Sequence, residues 1–177
     1  AIKYFEILCD LNPENFNNYF NLGNLYRDAK QSDLAMKYYL ISINKNPKHL
    51  ESITEISKIL YRIKDFENAL KYAFKAKKIQ PHSYEVIDLF GQIYFLKGDF
   101  IKSKSEYEKL RDYEYKKDKV NTNIASNLIQ LGETDQAIKI LEKNPLDKAK
   151  YNLGVIYLSQ KKFSKGWDNY NIGLDIG

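Results

Sequence analysis

The sequence predicts an all-α fold, a solenoid of stacked antiparallel helix pairs, on three observations. The first is a period of 34 residues, at which Ala35 returns as Ala69 (35 + 34). The second is helical spacing inside the period, where Tyr19, Leu22 and Tyr26 fall at i, i+3 and i+7. The third is a hydrophobic content of 44%, which is ample for a core. A fixed period of this length is typical of repeats built from two helices.

The first helix of each period carries a small residue on its packing face. This position holds Gly23 in the first complete period, and it recurs at intervals of 34 as Ser57, Gly91 and Ala125. Because a glycine costs about 1 kcal/mol in a helix relative to alanine, its recurrence indicates close packing. We expect Gly23 and Ala35 to let two antiparallel helices approach each other.

The second helix of the first complete period is predicted over about 33–44, after a polar turn. We expect Leu34, Tyr38 and Ile41 to lie on its apolar side. Pro47 lacks an amide hydrogen and disfavours helix at the residue before it, so it ends this helix.

The pattern of these residues resembles the tetratricopeptide repeat (TPR), a unit of the same length with this order of aromatic, Leu-Gly, Tyr, Ala, aromatic and Pro. The residues that carry the resemblance in the first complete period are Tyr19, Leu22, Gly23, Tyr26, Ala35, Tyr39 and Pro47. The resemblance covers nearly the whole chain. It implies a right-handed α-solenoid, a TPR-like superhelix whose first helices line the concave side.

The register divides the chain into six segments of a single array. Residues 1–15 read as the second helix of a partial repeat, 16–49, 50–83 and 84–117 as full repeats, 118–146 as a shortened repeat, and 147–177 as the last repeat. The start in mid-repeat and the lack of an initiating Met indicate a fragment or a processed product.

Three local departures from the pattern carry expectations of their own. Gly98 is expected in the left-handed conformation that ends a helix. Tyr115 stands where a proline is expected, so we predict that the second helix of the third repeat runs long, into 116–118. The last helix is predicted from Phe163 to about residue 175, with Gly166 in the place of the alanine.

Residues that would carry catalytic or metal chemistry are scarce. Cys9 is the single cysteine, so no internal disulfide can form, and it is expected to be a small buried hydrophobe in a cytoplasmic protein. His49 and His82 are the two histidines, and both are expected to be exposed turn residues. No clustered metal ligands and no Gly-rich phosphate loop appear. The sequence therefore predicts no cofactor, no metal and no enzymatic activity.

The charge pattern does not favour nucleic acid or a membrane. The net charge is +5, but the lysines are spread along the chain, whereas a nucleic-acid protein usually clusters them. Acidic residues on the first helices, Glu51, Glu55, Glu85 and Asp88, also count against an RNA-binding repeat. No apolar run approaches the roughly 18 residues of a membrane span.

The non-packing positions of the first helices are the candidate binding site. Amides at these positions can bond to a peptide backbone, and aromatic residues can hold its side chains. The alternative is a solvated inner face on which the aromatic residues shield neighbouring helices. The candidate residues are Asn17, Phe20, Asn21, Asn24, Arg27, Thr54, Lys58, Tyr61, Arg62, Asp88, Gln92, Phe95, Asn123, Ser126 and Tyr151.

The sequence thus predicts a protein–protein interaction scaffold that binds a peptide or protein partner in its concave groove. A second hypothesis comes from 165–170, which resembles the Gly-Trp-x-x-Tyr ending of bacterial repeat proteins fused to a glycosyltransferase or similar domain. It implies a non-catalytic repeat domain of a larger enzyme whose catalytic domain lies outside this chain; otherwise Trp167 packs in the core of a final repeat. We also expect exposed apolar repeat ends, including Ile172, Leu174 and Ile176, to pair two copies.

Overall fold

The computed structural model describes residues 1–172, apart from the side chains of Tyr115 and Ile172. This part of the chain forms eleven α-helices and one 3-10 turn, and it contains no strand. Residues 173–177, with the predicted end of the last helix and the apolar Leu174 and Ile176, lie outside the described range. The helices are α1 (Ile2–Leu11), α2 (Phe16–Asp28), α3 (Ser32–Lys45), α4 (Leu50–Arg62), α5 (Phe66–Ile79), α6 (Tyr84–Lys97), α7 (Phe100–Glu108), α8 (Lys117–Gln130), α9 (Thr134–Leu141), α10 (Asp147–Ser159) and α11 (Phe163–Ile172), with the 3-10 turn at Glu114–Lys116.

The helices belong to two compact units, Ala1–Lys97 and Gly98–Gly177. In unit 1, each helix from α1 to α6 packs against the next one in the chain, and α4 also packs against α6. In unit 2, each helix from α7 to α11 packs against the next, and α8 also packs against α10. Both units are thus stacks of helix pairs, and the predicted all-α solenoid class is confirmed.

The 34-residue period is visible in the burial of the second helices. Ala35, Ala69, Ser103 and Ala137 stand at that interval, and all four are fully buried. A side chain larger than theirs would have to displace the facing first helix, so the period follows from how closely the two helices of a pair approach.

The close approach at Gly23 is made to an aromatic ring. A Cβ at this position would lie 2.6 Å from the ring of Tyr39, which is fully buried and donates a hydrogen bond to Asn24 Oδ1 (2.8 Å). In the last repeat the close approach is made to backbone, because a Cβ at Gly154 would lie 2.6 Å from the backbone nitrogen of Tyr170. Small residues therefore do bring the helices together, and the side chain that faces Gly23 is that of Tyr39.

Left-handed residues follow the first helices with the same period. Lys30 (φ 60°), Lys64 (φ 65°), Gly98 (φ 85°) and Gly132 (φ 78°) are spaced by 34 residues, and Lys161 (φ 58°) occupies the corresponding place after α10. The prediction for Gly98 is confirmed. Three lysines adopt a conformation that L-residues normally avoid.

Two predictions about second helices are wrong. The buried stripe of α3 is Ala35, Tyr39 and Ser42, while Leu34 on the predicted apolar side is 38% exposed. The second helix of the third repeat does not run long, because α7 already ends at Glu108. Leu110, just beyond that end, is fully buried, and the chain turns tightly around it.

Candidate functional site

The predicted groove residues of unit 1 lie on α2, α4 and α6, and together they are called the unit 1 face. The face consists of Asn17, Phe20, Asn21, Asn24, Arg27, Thr54, Lys58, Tyr61, Arg62, Asp88, Gln92 and Phe95. Two hydrogen bonds join its helices: Arg27 Nη1 of α2 donates to Glu55 Oε2 of α4 (3.0 Å), and Tyr61 of α4 donates to Gln92 Oε1 of α6 (2.7 Å). The structure therefore brings the first helices of three repeats together in this unit.

A charged cluster occupies the α2–α4 side of the unit 1 face. Glu55 accepts from Arg27 and also from Lys58 Nζ (2.7 Å), and Arg27 in turn reaches Asp28 (3.0 Å). Burial favours the neutral form of Glu55, but the hydrogen bonds and charges of Lys58 and Arg27 outweigh it and lower the pKa of this carboxyl. Both cations are engaged with the protein's own carboxylates.

The α4–α6 side of the face is held by neutral and acidic groups that are largely inside the protein. Gln92 Nε2 donates to Asp88 Oδ2 (2.9 Å), while Gln92 Oε1 accepts from Tyr61. Tyr61 is 6% exposed, and Asp88 and Thr54 are each 7% exposed. We expected Tyr61 to offer its ring to a ligand. The ring is instead buried in the hydrophobic core of unit 1, where it stabilises the packing of the helices.

Two residues of the unit 1 face are exposed, and most of the others are half-buried. Asn17 and Arg62 are exposed, and Phe20, Asn21 and Phe95 are half-buried. The ring of Phe20 lies 5.8 Å from that of Tyr39 and 4.9 Å from that of His49. A ligand on this face would meet amides, one edge of an aromatic cluster and the Arg62 guanidinium.

His49 was predicted to be an exposed turn residue, but its side chain is largely buried. Its ring lies against Phe16 and Phe20, with Nδ1 2.8 Å from Ser52 Oγ and 3.4 Å from Ser42 Oγ. The prediction for His49 was wrong because its two serine partners are small polar residues, and no pattern in the sequence indicates that they are buried. His82 is exposed, as predicted.

The surroundings of His49 contain the elements of a catalytic triad, but they lack access. Ser52 Oγ lies 2.8 Å from His49 Nδ1, and Glu51 Oε2 lies 3.3 Å from His49 Nε2. A nucleophilic serine must reach its substrate. Ser52, however, is fully buried, and its hydroxyl donates a hydrogen bond to Ser42 Oγ (2.9 Å). This arrangement ties three helices together rather than exposing a nucleophile.

The candidate residues of unit 2 are Asn123, Ser126 and Tyr151, and each contacts other residues of the same unit. Ser126 Oγ donates to the carbonyl of Thr122 (2.9 Å) and accepts from Asn152 Nδ2 (3.3 Å), and the carbonyl of Asn123 accepts from Asn127 Nδ2 (2.8 Å). The ring of the half-buried Tyr151 packs against that of Tyr170 at a tilt of 34°, with ring centroids 5.1 Å apart.

Trp167 does not pack in a core. It touches Tyr170 edge-on, with ring centroids 5.7 Å apart, yet it is 51% exposed. In the same motif, Gly166 is buried against Leu158, whose Cδ2 would lie 2.6 Å from an added Cβ. The motif therefore uses its glycine for helix packing and leaves its tryptophan at the surface.

A groove lies along α5, outside the binding surface that the sequence predicts on the first helices. Its volume is about 610 Å³, and its lining consists of Lys64, Asp65, Phe66, Glu67, Leu70, Lys71, Phe74 and Lys97. The spacing of Phe66, Leu70 and Phe74 at i, i+4 and i+8 was a usable signal, since it places three large apolar side chains on one face of a helix.

Within residues 1–172, no three side chains of His, Cys, Asp or Glu lie close enough together to hold a metal ion. Over the same range, no helix is both long and apolar enough to cross a membrane. Cys9 is buried and unbridged, as predicted.

Comparison with known proteins identifies the repeat. A family model described as tetratricopeptide repeat matches residues 16–49 and 118–143. A search of curated protein sequences found no match to the chain.

Solved structures share the fold at low sequence identity. A tetratricopeptide repeat protein from Parabacteroides merdae superposes with a TM-score of 0.83 at 15% identity, over 99% of this chain and 71% of that one. TTC0263, a TPR protein of Thermus thermophilus, gives 0.75 at 15% identity, over 90% of each chain. YrrB, described as a TPR protein with an unusual peptide-binding site, gives 0.69 at 16% identity, over 99% of this chain and 93% of its own.

Proposed function

This chain is a tetratricopeptide-repeat protein, a fold that serves generally as a protein–protein interaction scaffold, and we propose that its unit 1 face binds a peptide or protein partner. The observation that carries the proposal is that hydrogen bonds between side chains hold α2, α4 and α6 together. These bonds are Arg27–Glu55 and Tyr61–Gln92. A surface held in this way loses little conformational entropy when a ligand binds.

The exposed Asn17 and the half-buried Asn21 of the unit 1 face suit an extended segment of backbone. The amides of Asn17 and Asn21 can each donate to and accept from a peptide group, and Phe20 between them offers part of its ring. The similarity to YrrB supports a peptide ligand, since that neighbour is described by its peptide-binding site. We further propose a cytoplasmic site of action, which the single buried thiol of Cys9 would suit.

The test is to block the unit 1 face without disturbing the core. We expect the double variant Asn17→Arg/Asn21→Arg to lose most partner binding, because two long cations would occupy the place of a ligand backbone. Asn44→Arg is the matched control, since Asn44 is exposed on α3 and lies outside the face. Proteins retained from host lysate by each variant are compared by mass spectrometry at low and moderate salt.

Partners retained by the wild type and Asn44→Arg, but not by the double variant, support the proposal. Partners retained equally by all three proteins would contradict it. Nucleic acid that is lost as the salt rises would show only attraction to the net positive charge.

The alternative function, a repeat domain of a larger enzyme, is favoured by one observation on α11. Phe163 and Trp167 are 60% and 51% exposed one helical turn apart, which suits packing onto a further domain. We propose a non-catalytic repeat domain of a larger enzyme as the second candidate function of this chain. A native polypeptide that ends near Gly177 would rule it out.

We also propose that two copies pair through α1. Tyr4, Ile7 and Leu11 are 62%, 57% and 76% exposed along one side of this helix. An antiparallel pairing about Ile7 would set Tyr4 near Leu11 of the other copy, and it would bring the exposed, oppositely charged Lys3 and Asp10 towards each other. Both the apolar contacts and the charges of α1 are therefore self-complementary.

A further inference from the structure

The α5 groove has an apolar floor. Phe66 and Leu70 are half-buried, and Phe74 is 49% exposed while its ring meets that of Phe90 edge-on at 5.0 Å. The volume of about 610 Å³ lies within the range of roughly 300–1,000 Å³ that is usual for ligand sites. An exposed aromatic ring fixed by a second ring is a rigid contact for a bulky side chain.

The rim of the α5 groove is positively charged. Lys64, Lys71 and Lys97 line it and are exposed, and none of the three makes an ion pair within the described part of the chain. Asp65 is also on the lining, but its carboxylate accepts from the backbone nitrogen and Nδ2 of Asn68 at the start of α5 (3.2 and 2.8 Å). Asp65 and Glu67 are the two carboxylates of the lining, so three lysines against two carboxylates leave it a net charge of +1.

We propose that this groove binds an acidic peptide segment, in which Asp or Glu residues flank one or two bulky apolar side chains. The apolar side chains would cover Phe66, Leu70 and Phe74, and the carboxylates would meet the three lysines. This site is distinct from the unit 1 face, because it lies on a second helix. Its lysines would attract a negatively charged ligand.

The shape and composition of the groove distinguish this ligand from other anions. A nucleic-acid surface usually carries a longer row of clustered cations that follows the phosphate backbone. A membrane-binding helix lies in the plane of the interface with its whole apolar face buried among the lipids. Here three apolar side chains of one helix lie beside three lysines in a single groove, which fits a short peptide with apolar and acidic side chains.

The test uses the whole chain and a phage-displayed library of random dodecapeptides. Peptides are selected for binding to the wild type and against Lys71→Glu/Lys97→Glu. We expect the selected pool to be enriched in Asp and Glu next to Phe, Leu or Trp. A synthetic peptide from this pool should bind the double variant about tenfold more weakly, because two exposed attractions become repulsions.

Three controls separate binding in the α5 groove from attraction to net charge and from binding at the unit 1 face. Lys78→Glu reverses an exposed lysine of α5 outside the groove and should change the affinity by less than about twofold. Phe74→Ala, with its helix content verified by circular dichroism, should weaken the same peptide severalfold. Asn17→Arg/Asn21→Arg should leave it bound, so that this proposal and the one for the unit 1 face can fail separately.

Selection of peptides without acidic enrichment would overturn the proposal. An equal loss of affinity in Lys78→Glu would also overturn it, since only net charge would then matter. Binding of an oligouridine or of phosphatidylserine vesicles that depends on Lys71 and Lys97, without acidic peptides in the pool, would assign the groove to another class of anion.

Discussion

At the scale of single residues, the position after each first helix tests how much strain the repeat tolerates. Lys30 and Lys64 hold left-handed backbone there, whereas Gly98 and Gly132 hold the same conformation without a side chain. A left-handed L-residue costs roughly 1–2 kcal/mol. The turn is therefore imposed by the packing of the two helices it joins, and glycine is the residue that accommodates it without strain.

Exchanging the two residue types at this position should change stability in opposite directions. Gly132→Ala should lower the free energy of unfolding by about 1 kcal/mol, because its Cβ would meet nothing within 4 Å and only the backbone is strained. Lys30→Gly should be neutral or stabilising by up to about 1 kcal/mol, since relief of strain outweighs the added freedom of the unfolded chain. Urea unfolding measures both changes.

The matched control is Lys37→Gly, which places the same substitution at an exposed position inside α3. It should cost about 1 kcal/mol, as glycine does in helix interiors. If Lys30→Gly were as destabilising as Lys37→Gly, the left-handed lysine would not be strained.

At the scale of elements, His49 connects three helices of unit 1. It precedes α4, contacts Phe16 and Phe20 of α2, and lies near Ser42 of α3 and Ser52 of α4. Burial lowers the pKa of His49 below its usual value, and the nearby Glu51 carboxylate opposes this without cancelling it. The folded protein thus favours the neutral imidazole.

Stability should consequently fall as the solution is acidified. The unfolded histidine takes up its proton near pH 6.5, whereas the folded one does so only at lower pH. Between these values the unfolded chain binds more protons, so the stabilisation present above about pH 6.5 is lost as the pH falls through the folded pKa. Midpoints of urea unfolding between neutral and mildly acidic pH should show this slope.

His49→Gln should reduce the slope, and His82→Gln should leave it as in the wild type, because the exposed His82 does not share the buried surroundings of His49. These are the two histidines of the sequence, so the pair is a complete comparison. An unchanged slope in His49→Gln would mean that carboxylates produce it.

At the scale of the whole molecule, the period revealed the fold but not which side chains remain available for binding. Buried small residues such as Ala35 and Ala69 recur because the spacing between helices recurs, and this leaves a periodic signal. Tyr61, in contrast, is buried and donates a hydrogen bond to Gln92, which is 31 residues away along the chain. A contact between side chains of different repeats leaves no period, and therefore much of the expected binding surface proved to be paired within the protein.

The face of α1 gives the chain one further property that a measurement can decide. We expect the 177-residue chain to show a reversible monomer–dimer equilibrium in sedimentation velocity, because the exposed Tyr4, Ile7 and Leu11 become buried when two copies pair. Ile7→Glu should shift the equilibrium to the monomer, since it would place two carboxylates at the centre of the pairing.

Ile101→Glu is the matched control, because Ile101 on α7 is also an exposed isoleucine, at 70% against 57% for Ile7. The control should sediment like the wild type. If both variants remain dimeric, the contact lies elsewhere on the chain. If the wild type is monomeric at every concentration, the face of α1 does not pair two copies, and its apolar side chains need a different partner.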